Sequence, residues 1–322
     1  MNPFRVLVTG GAGFIGSHVA DHFLAEGAQV TVLDDLSSGK REQVPATAAF
    51  VQAGVASPEA AQVVRDGRFD VICHLAAQID VRRSVSDPMF DATQNVLGSL
   101  NLIEAMRASG HPSRFIFTST GGATYGDLAP VPSPESVAKN PESPYGTSKL
   151  AVEFYLGYYG RVHGVEYVTL RYANVYGPRQ DPHGEAGVVA IFCGKLLDGQ
   201  PLKVFGDGTQ TRDYVYVGDV ARANVLASKI SMPPAGGLDA RAFNIATGRE
   251  TSVLELAETL MTAAGRRQPI VHAPARAGEQ KRSCLVIDRA AAELGWVPQV
   301  SLADGLGETF AWFGARHDGG GR

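Results

Sequence analysis

Short β-branched apolar runs alternate with stretches of helical period through the first half of the chain. Arg5 to Thr9 is the first run. It meets Gly10-Gly-Ala-Gly13-Phe-Ile-Gly16, and a helical pattern then places Ile15, Val19, Phe23 and Leu24 on one face as far as Gly27. Gln29 to Leu33 reads as a second strand ending at Asp34, Phe50 and Val51 mark a third, and Pro58 to Arg65 a helix. Phe69 to His74 is a fourth strand, closing on His74-Leu-Ala-Ala77. A long helical pattern from Pro88 to Ala108 carries Phe90, Val96, Leu97, Leu100, Leu102 and Ile103. The fifth strand, Arg114 to Phe117, runs into the hydroxyl-rich stretch Thr118 to Gly126. A helix over Tyr145 to Tyr159 precedes a sixth strand, Val165 to Leu170. Strands alternating with helices predict an α/β fold, a doubly wound parallel sheet of the Rossmann type.

Beyond Arg171 the rhythm loosens. Val188 to Leu197 and Ser252 to Ala264 read as helices, Pro201 to Phe205 and Phe243 to Ala246 as strands, and Tyr214 to Lys229 as strand then helix. Ile270 to His272 and Cys284 to Asp288 are short extended segments, and a last helix covers Leu302 to Phe313. The tail from His317 to Arg322, with its run of glycines, predicts a flexible end. The expected division is a dinucleotide-binding domain over residues 1–175, to which segments near 214–246 return. A smaller α/β substrate domain then covers residues 176–316, with a tail at 317–322.

Composition adds exclusions. The chain has 322 residues, 44% hydrophobic and 19% charged, enough for a large core. A formal charge of −4 argues against a general nucleic-acid binder. No apolar run is long enough to cross a membrane, and the first strand begins too early for a signal peptide, so a cytoplasmic enzyme is expected. Cys73, Cys193 and Cys284 are far apart, which predicts buried thiols and no metal site.

The candidate chemistry sits on this frame. Glycines at 10, 13 and 16 let the backbone turn tightly and approach a pyrophosphate, while the helix N-terminus offers it free N–H groups. Asp34, about twenty residues on, suits the adenosine ribose hydroxyls and repels a 2′-phosphate, so NAD is the expected cofactor. Small residues such as Ala76 let a cofactor lie against the carboxyl edge of the sheet. Asn95 reads either as a core hydrogen-bonder or as a side chain reaching the cofactor. Tyr145 and Lys149, four apart, share a helical face, where an ammonium beside a phenol favours the phenolate. Seen alone, that spacing is a helix start with Ser143 as cap and Pro144 first. Hydroxyls at Thr118 to Thr120 lie at a strand's carboxyl end, as an active site of this fold requires.

Taken together, these residues resemble the extended short-chain dehydrogenase/reductase superfamily, and within it the UDP-glucose (UDP-galactose) 4-epimerases. The resemblance rests on TGGAGFIGSH at 9–18, LDDLSSG at 33–39, HLAAQ at 74–78 and YGTSK at 145–149. It continues through LRYANVYGPRQ at 170–180, VFGDGTQTRDYVYVGDVA at 204–221 and ARAGEQKRS at 275–283. It implies NAD-dependent 4-epimerisation of UDP-hexoses through a 4-keto intermediate. Tyr145 takes the 4-hydroxyl proton, Lys149 holds the phenolate and the nicotinamide ribose, and Thr120, or its neighbour Ser119, bonds the reacting oxygen. Lys149 and the nicotinium ring are expected to lower the tyrosine pKa by about 3 units. Phe14, Ile15 and Tyr172 join the glycines, Asp34, Ala76 and Asn95 at the cofactor. Asn174, Arg212 and Arg276 are the implied UDP grips, with Glu279 on the ribose side, and no metal takes part. The resemblance further implies a homodimer paired through the helices near 88–108 and 145–160.

Gly54 stands where the family often has an adenine-contacting Asp, which puts cofactor retention in doubt. A 4,6-dehydratase needs an Asp-Glu pair after the catalytic Thr, and Gly121 and Gly122 follow here instead. A UDP-glucuronate epimerase or decarboxylase on the same scaffold is the nearer alternative. A non-catalytic NAD-binding regulator is expected to lack the Tyr/Lys pair. The family's gate for a 2-N-acetyl group aligns with Ser283 or, with a slip of one, Cys284. Both are small, so UDP-GlcNAc and UDP-GalNAc are expected substrates besides UDP-glucose and UDP-galactose.

Overall fold

The computed structural model describes residues 4–182, 187–275 and 280–319. Seven parallel strands form its centre: β1 (Arg5–Thr9), β2 (Gln29–Asp34), β3 (Ala49–Gln52), β4 (Val71–His74), β5 (Arg114–Thr120), β6 (Glu166–Tyr172) and β7 (Ala242–Ile245). Their spatial order is β7-β6-β5-β4-β1-β2-β3, so the sheet reverses direction of growth between β1 and β4. That reversal opens a crevice at the carboxyl edge, where ligands of doubly wound sheets bind. The strands are near-continuous apolar runs because helices cover both faces. One face buries Val6, Val8, Ile116 and Leu170 under the helices Phe14–Ala25 and Val217–Lys229. The other buries Leu7, Ile72, Phe115 and Phe117 under the helices Gly98–Ser109 and Pro144–His163.

A separate apolar cluster holds the C-terminal elements together. Phe192, Leu196, Leu202, Val204, Leu256, Leu260 and Leu306 bring the helices Val188–Leu197, Val253–Ala264 and Leu302–Gly319 against the parallel strands Leu202–Phe205 and Ile270–Ala273. Ser252 and Glu255 form a reciprocal capping box at the start of the second of these helices. Strand β7 and the helix Val217–Lys229 lie on the main sheet, although the chain has by then visited the smaller cluster.

Some expectations need correction. The tail is helical as far as Gly319, because the last helix continues six residues past Phe313. The long helix expected from Pro88 is interrupted: Pro88–Ala92, a π turn at Thr93–Leu97, then Gly98–Ser109. The apolar period does not register such a widening, which adds one residue to a turn. Cys284 to Asp288 is not a strand of a sheet; its extended contact is one bridge from Leu285 to Ser133, and a helix begins at Asp288. All the cysteines are buried and free, as expected. Burial pushes the Cys193 and Cys284 thiols up to about 12.

Candidate active site

The glycine turn follows β1. Gly10 has φ of +71°, and a Cβ there would stand 2.7 Å from the Ala76 nitrogen, so the turn and the loop after β4 touch through bare backbone. A Cβ on Gly16 would fall 2.1 Å from the Gly10 carbonyl oxygen. The helix Phe14–Ala25 therefore starts directly on the turn. Its N-cap is Gly13 with no side-chain cap, leaving the first N–H groups, among them those of Phe14 and Ile15, for an anion. Asp34 closes the cradle from β2: Oδ2 accepts from the Ala12 N–H at 3.0 Å and Oδ1 from Leu36 at 2.9 Å. Burial raises the Asp34 pKa, and those N–H bonds oppose it. Gly54 faces open space, its nearest neighbour being Asp35 Oδ2 at 3.8 Å from a built Cβ.

The helix Pro144–His163 is capped by Ser143, which accepts from the Gly146 N–H, with Pro144 in its first turn. The helix start and the Tyr145–Lys149 face are therefore the same feature. Lys149 is buried; its Nζ donates to the Thr118 carbonyl at 3.0 Å and lies 6.0 Å from the Tyr145 ring centre and 4.9 Å from that of Phe117. Burial pushes Lys149 down to about 8, opposed by the charges of Asp91 and Glu153. Tyr145 is raised above its ordinary value, first by burial and then by the charge of Asp91. The expected lowering of Tyr145 by Lys149 is thus not supplied by the chain alone.

β5 reaches Thr120, further than the apolar run suggested, and strand alternation separates the hydroxyls. Ser119 points toward the helix Pro144–His163 and donates to Glu153 Oε1 at 2.5 Å. Thr120 is partly exposed and its Oγ1 accepts from the Ala123 N–H at 3.3 Å. Thr118 donates to the Tyr172 hydroxyl at 3.3 Å. The Tyr172 side chain is core: buried, with its hydroxyl also accepting from Asn224 at 2.7 Å.

Asn95 sits in the π turn and clamps the loop after β4. Its Oδ1 accepts from the Gln78 N–H at 2.9 Å, and its Nδ2 donates to the Gln78 carbonyl and to Asp91. Behind it, Ser99 donates to the Asn95 carbonyl at 2.6 Å and so accepts from His74 Nε2, leaving His74 Nδ1 to accept from the Thr9 hydroxyl. Burial, then the charge of Lys149, pushes His74 down to about 3, so it is neutral.

Among the residues expected at the substrate, Asn174 is exposed, with its N–H donating to the Asp213 carbonyl. Arg212 lies on the short strand Thr211–Arg212, its Nη1 donating to the Thr211 carbonyl at 2.8 Å, and among the described residues it has no acidic partner. The Ser283 N–H donates to that same carbonyl oxygen of Thr211, whereas Cys284 turns inward with Sγ 3.4 Å from Asp213 Oδ2. Arg276 and Glu279 lie outside the described residues. Sequence reasoning missed Asp91, Glu153 and Arg171. All are buried, and Glu153, at i+8 from Tyr145 on the same helix, was the one with a readable signal.

Comparison with known proteins agrees with this geometry. Residues 6–246 match the NAD dependent epimerase/dehydratase family. A UDP-glucose 4-epimerase of Mycolicibacterium smegmatis is 46% identical over 96% of this chain and 98% of its own. The structure of a Thermotoga maritima UDP-glucose 4-epimerase with UDP-glucose superposes with a TM-score of 0.92 at 45% identity, over 97% of this chain and 99% of that one. A Thermus thermophilus UDP-glucose 4-epimerase in complex with NAD gives 0.87 at 44% identity, over 96% and 98%. The family match over most of the chain, on a sheet whose carboxyl edge carries the glycine turn and the Tyr145–Lys149 face, places this protein in the NAD dependent epimerase/dehydratase family.

Proposed function

We propose that the protein interconverts UDP-glucose and UDP-galactose by NAD-dependent 4-epimerisation. The observation that carries the reading is the Tyr145–Lys149 face beside the Gly10–Gly16 cradle, in a chain so similar to UDP-glucose 4-epimerases. The cradle fits a dinucleotide: bare backbone at Gly10 and Gly16, an uncapped helix N-terminus, and Asp34 folded toward the turn. Bound there, NAD⁺ supplies a reversible two-electron acceptor and a positive ring that opposes the upward push on Tyr145. Tyr145 takes the proton of the sugar 4-hydroxyl and returns it to the same 4-oxygen once the 4-keto sugar has turned over, the inversion lying in which face of C4 is re-reduced. Lys149 holds the phenolate side of the site by its charge. Thr120 is the hydroxyl for the reacting oxygen, since Ser119 gives its proton to Glu153. Asn174, Arg212, Arg276 and Glu279 hold the UDP, with the arginine forks suited to the diphosphate. A uronic-acid substrate remains the second arm of any substrate test.

Tyr145→Phe tests the catalytic assignment. Turnover is expected to fall by about a thousandfold or more while UDP affinity measured by calorimetry stays within about twofold. A matching loss of UDP affinity would make Tyr145 structural. Ser283 is the residue we assign to the sugar gate, because Cys284 faces Asp213. UDP-GlcNAc is therefore a substrate, and Ser283→Tyr abolishes its turnover while sparing UDP-glucose; a wild type inert toward UDP-GlcNAc contradicts this.

The solvent side of the helix Pro144–His163 exposes Phe154, Tyr158 and Val162 at four-residue spacing, with Leu97 exposed on the neighbouring π turn. This stripe supports pairing of two copies through these helices. No helix among the described residues is long and apolar enough to cross a membrane, and a cytoplasmic setting is the reading we favour.

A further inference from the structure

Asp91 is fully buried between two parts of the site. Its Oδ2 accepts from Ser148 Oγ at 2.6 Å, and its Oδ1 accepts from Gln78 Nε2 and Asn95 Nδ2, each at 3.0 Å. Ser148 stands at i+3 from Tyr145 and adjoins Lys149, on the face those residues share. Gln78 belongs to the loop after β4, two residues past Ala76, where the glycine turn meets it. One carboxylate therefore fastens the catalytic helix to the cofactor edge.

Its hydrogen-bond partners are all neutral. A buried carboxylate is ordinarily matched by a cation, as Glu153 is by Arg171 at 2.5 Å. Among the described residues no Lys, Arg or His bonds Asp91.

We infer that Asp91 is a positioning residue of the epimerase site: it fixes the Tyr145–Lys149 face against the loop after β4 and holds a negative charge, bonded directly by no cation, behind both. The inference rests on the reading above for what the pair does, but the bracket and its charge are properties of the folded chain.

The groups around the pair fix the sign. Lys149 faces Asp91, Glu153 of its own helix, His74 of β4, and the Phe117 ring and Thr118 carbonyl of β5. Glu153 is matched by Arg171 of β6, and His74 is neutral. Asp80, in the loop, exchanges backbone bonds with the Gln78 amide on the far side of the bracket. Asp91 stabilises the protonated forms of both Lys149 and Tyr145. Removing its charge moves both titrations to lower pH, a change that a mere loss of packing does not produce.

The test is an NMR titration of the full-length protein labelled with ¹³Cε-lysine, with NAD⁺ present, the Lys149 resonance being identified by its loss in K149R. In Asp91→Asn its midpoint is expected to fall by roughly half a pH unit or more. In Asp91→Glu and Ser148→Ala, which keep the charge, it stays in place. An unmoved midpoint in Asp91→Asn overturns the inference. This readout needs no turnover. A wild type that epimerises no UDP-hexose refutes the functional reading and leaves the titration to decide on Asp91.

Turnover gives the second arm and decides alone if Asp91→Asn does not fold. Ser148→Ala loosens the bracket without touching the charge. It is expected to lower kcat about tenfold, with KM for UDP-glucose unchanged and the pH limbs unmoved. Wild-type kcat in Ser148→Ala overturns the positioning role.

Discussion

Two buried polar regions flank the helix Pro144–His163, and they are built on opposite rules. On the β6 side the groups are ionic. Arg171, with no exposed surface, bonds Glu153 through Nε and Nη2, Asp239 at 2.8 Å, and the Tyr125 hydroxyl through Nη1, while Lys139 pairs with Asp239 at 2.5 Å. On the β4 side the groups are neutral: Thr9, His74, Ser99, Asn95 and Gln78 pass hydrogen bonds from the glycine turn to a single carboxylate, Asp91. The difference separates shape from electrostatics. Matched charges on the β6 side cancel at a distance and hold helix to strand. On the β4 side no cation bonds Asp91 directly, so its charge reaches the Tyr145–Lys149 face.

Breaking the ionic side has the largest expected effect. Arg171→Met leaves Glu153 buried without a cation and is expected to cost about 3–5 kcal/mol of stability, read from urea unfolding. The double variant Arg171→Met with Glu153→Met removes both charges and recovers most of that loss. A loss under about 1 kcal/mol in the single variant would show that the pair does not fix the helix.

The neutral side breaks with acid. The folded-state pKa of His74 lies at about 3, below its ordinary 6.5, so the unfolded chain binds this proton first as pH falls. Stability from His74 is present above pH 6.5 and is lost on the way down to about 3, at up to about 1.4 kcal/mol per pH unit. Urea midpoints between pH 7 and pH 4 are expected to fall less steeply in His74→Asn than in wild type; equal slopes contradict a neutral buried His74.

These regions also mark how far the sequence could be read. The glycine turn, Asp34 and the Tyr145–Lys149 spacing are local: each depends on residues a few positions apart whose backbone needs are particular to Gly, Ser-Pro or a helical face. The parallel sheet follows from βα alternation, which is equally local. Ser119 and Thr120 stayed unresolved because the expected strand stopped at Phe117, and only its extension to Thr120 lets alternation separate them. Tyr172 belongs to a motif whose order along the chain says nothing of which face its ring takes. Asp91, Glu153 and Arg171 acquire partners across separations that no period encodes, 57 residues in the case of Asp91 and Ser148.

Reversal at C4 with no net redox change is met directly by one measurement. Purified protein is incubated with NAD⁺ and, separately, UDP-glucose, UDP-galactose, UDP-GlcNAc and UDP-glucuronate, and the products are resolved by chromatography while absorbance follows NADH. UDP-glucose and UDP-galactose are expected to reach the same mixture from either side, with no NADH accumulating beyond the enzyme concentration. Stoichiometric NADH, a decarboxylated pentose product from UDP-glucuronate alone, or unchanged hexoses would contradict it.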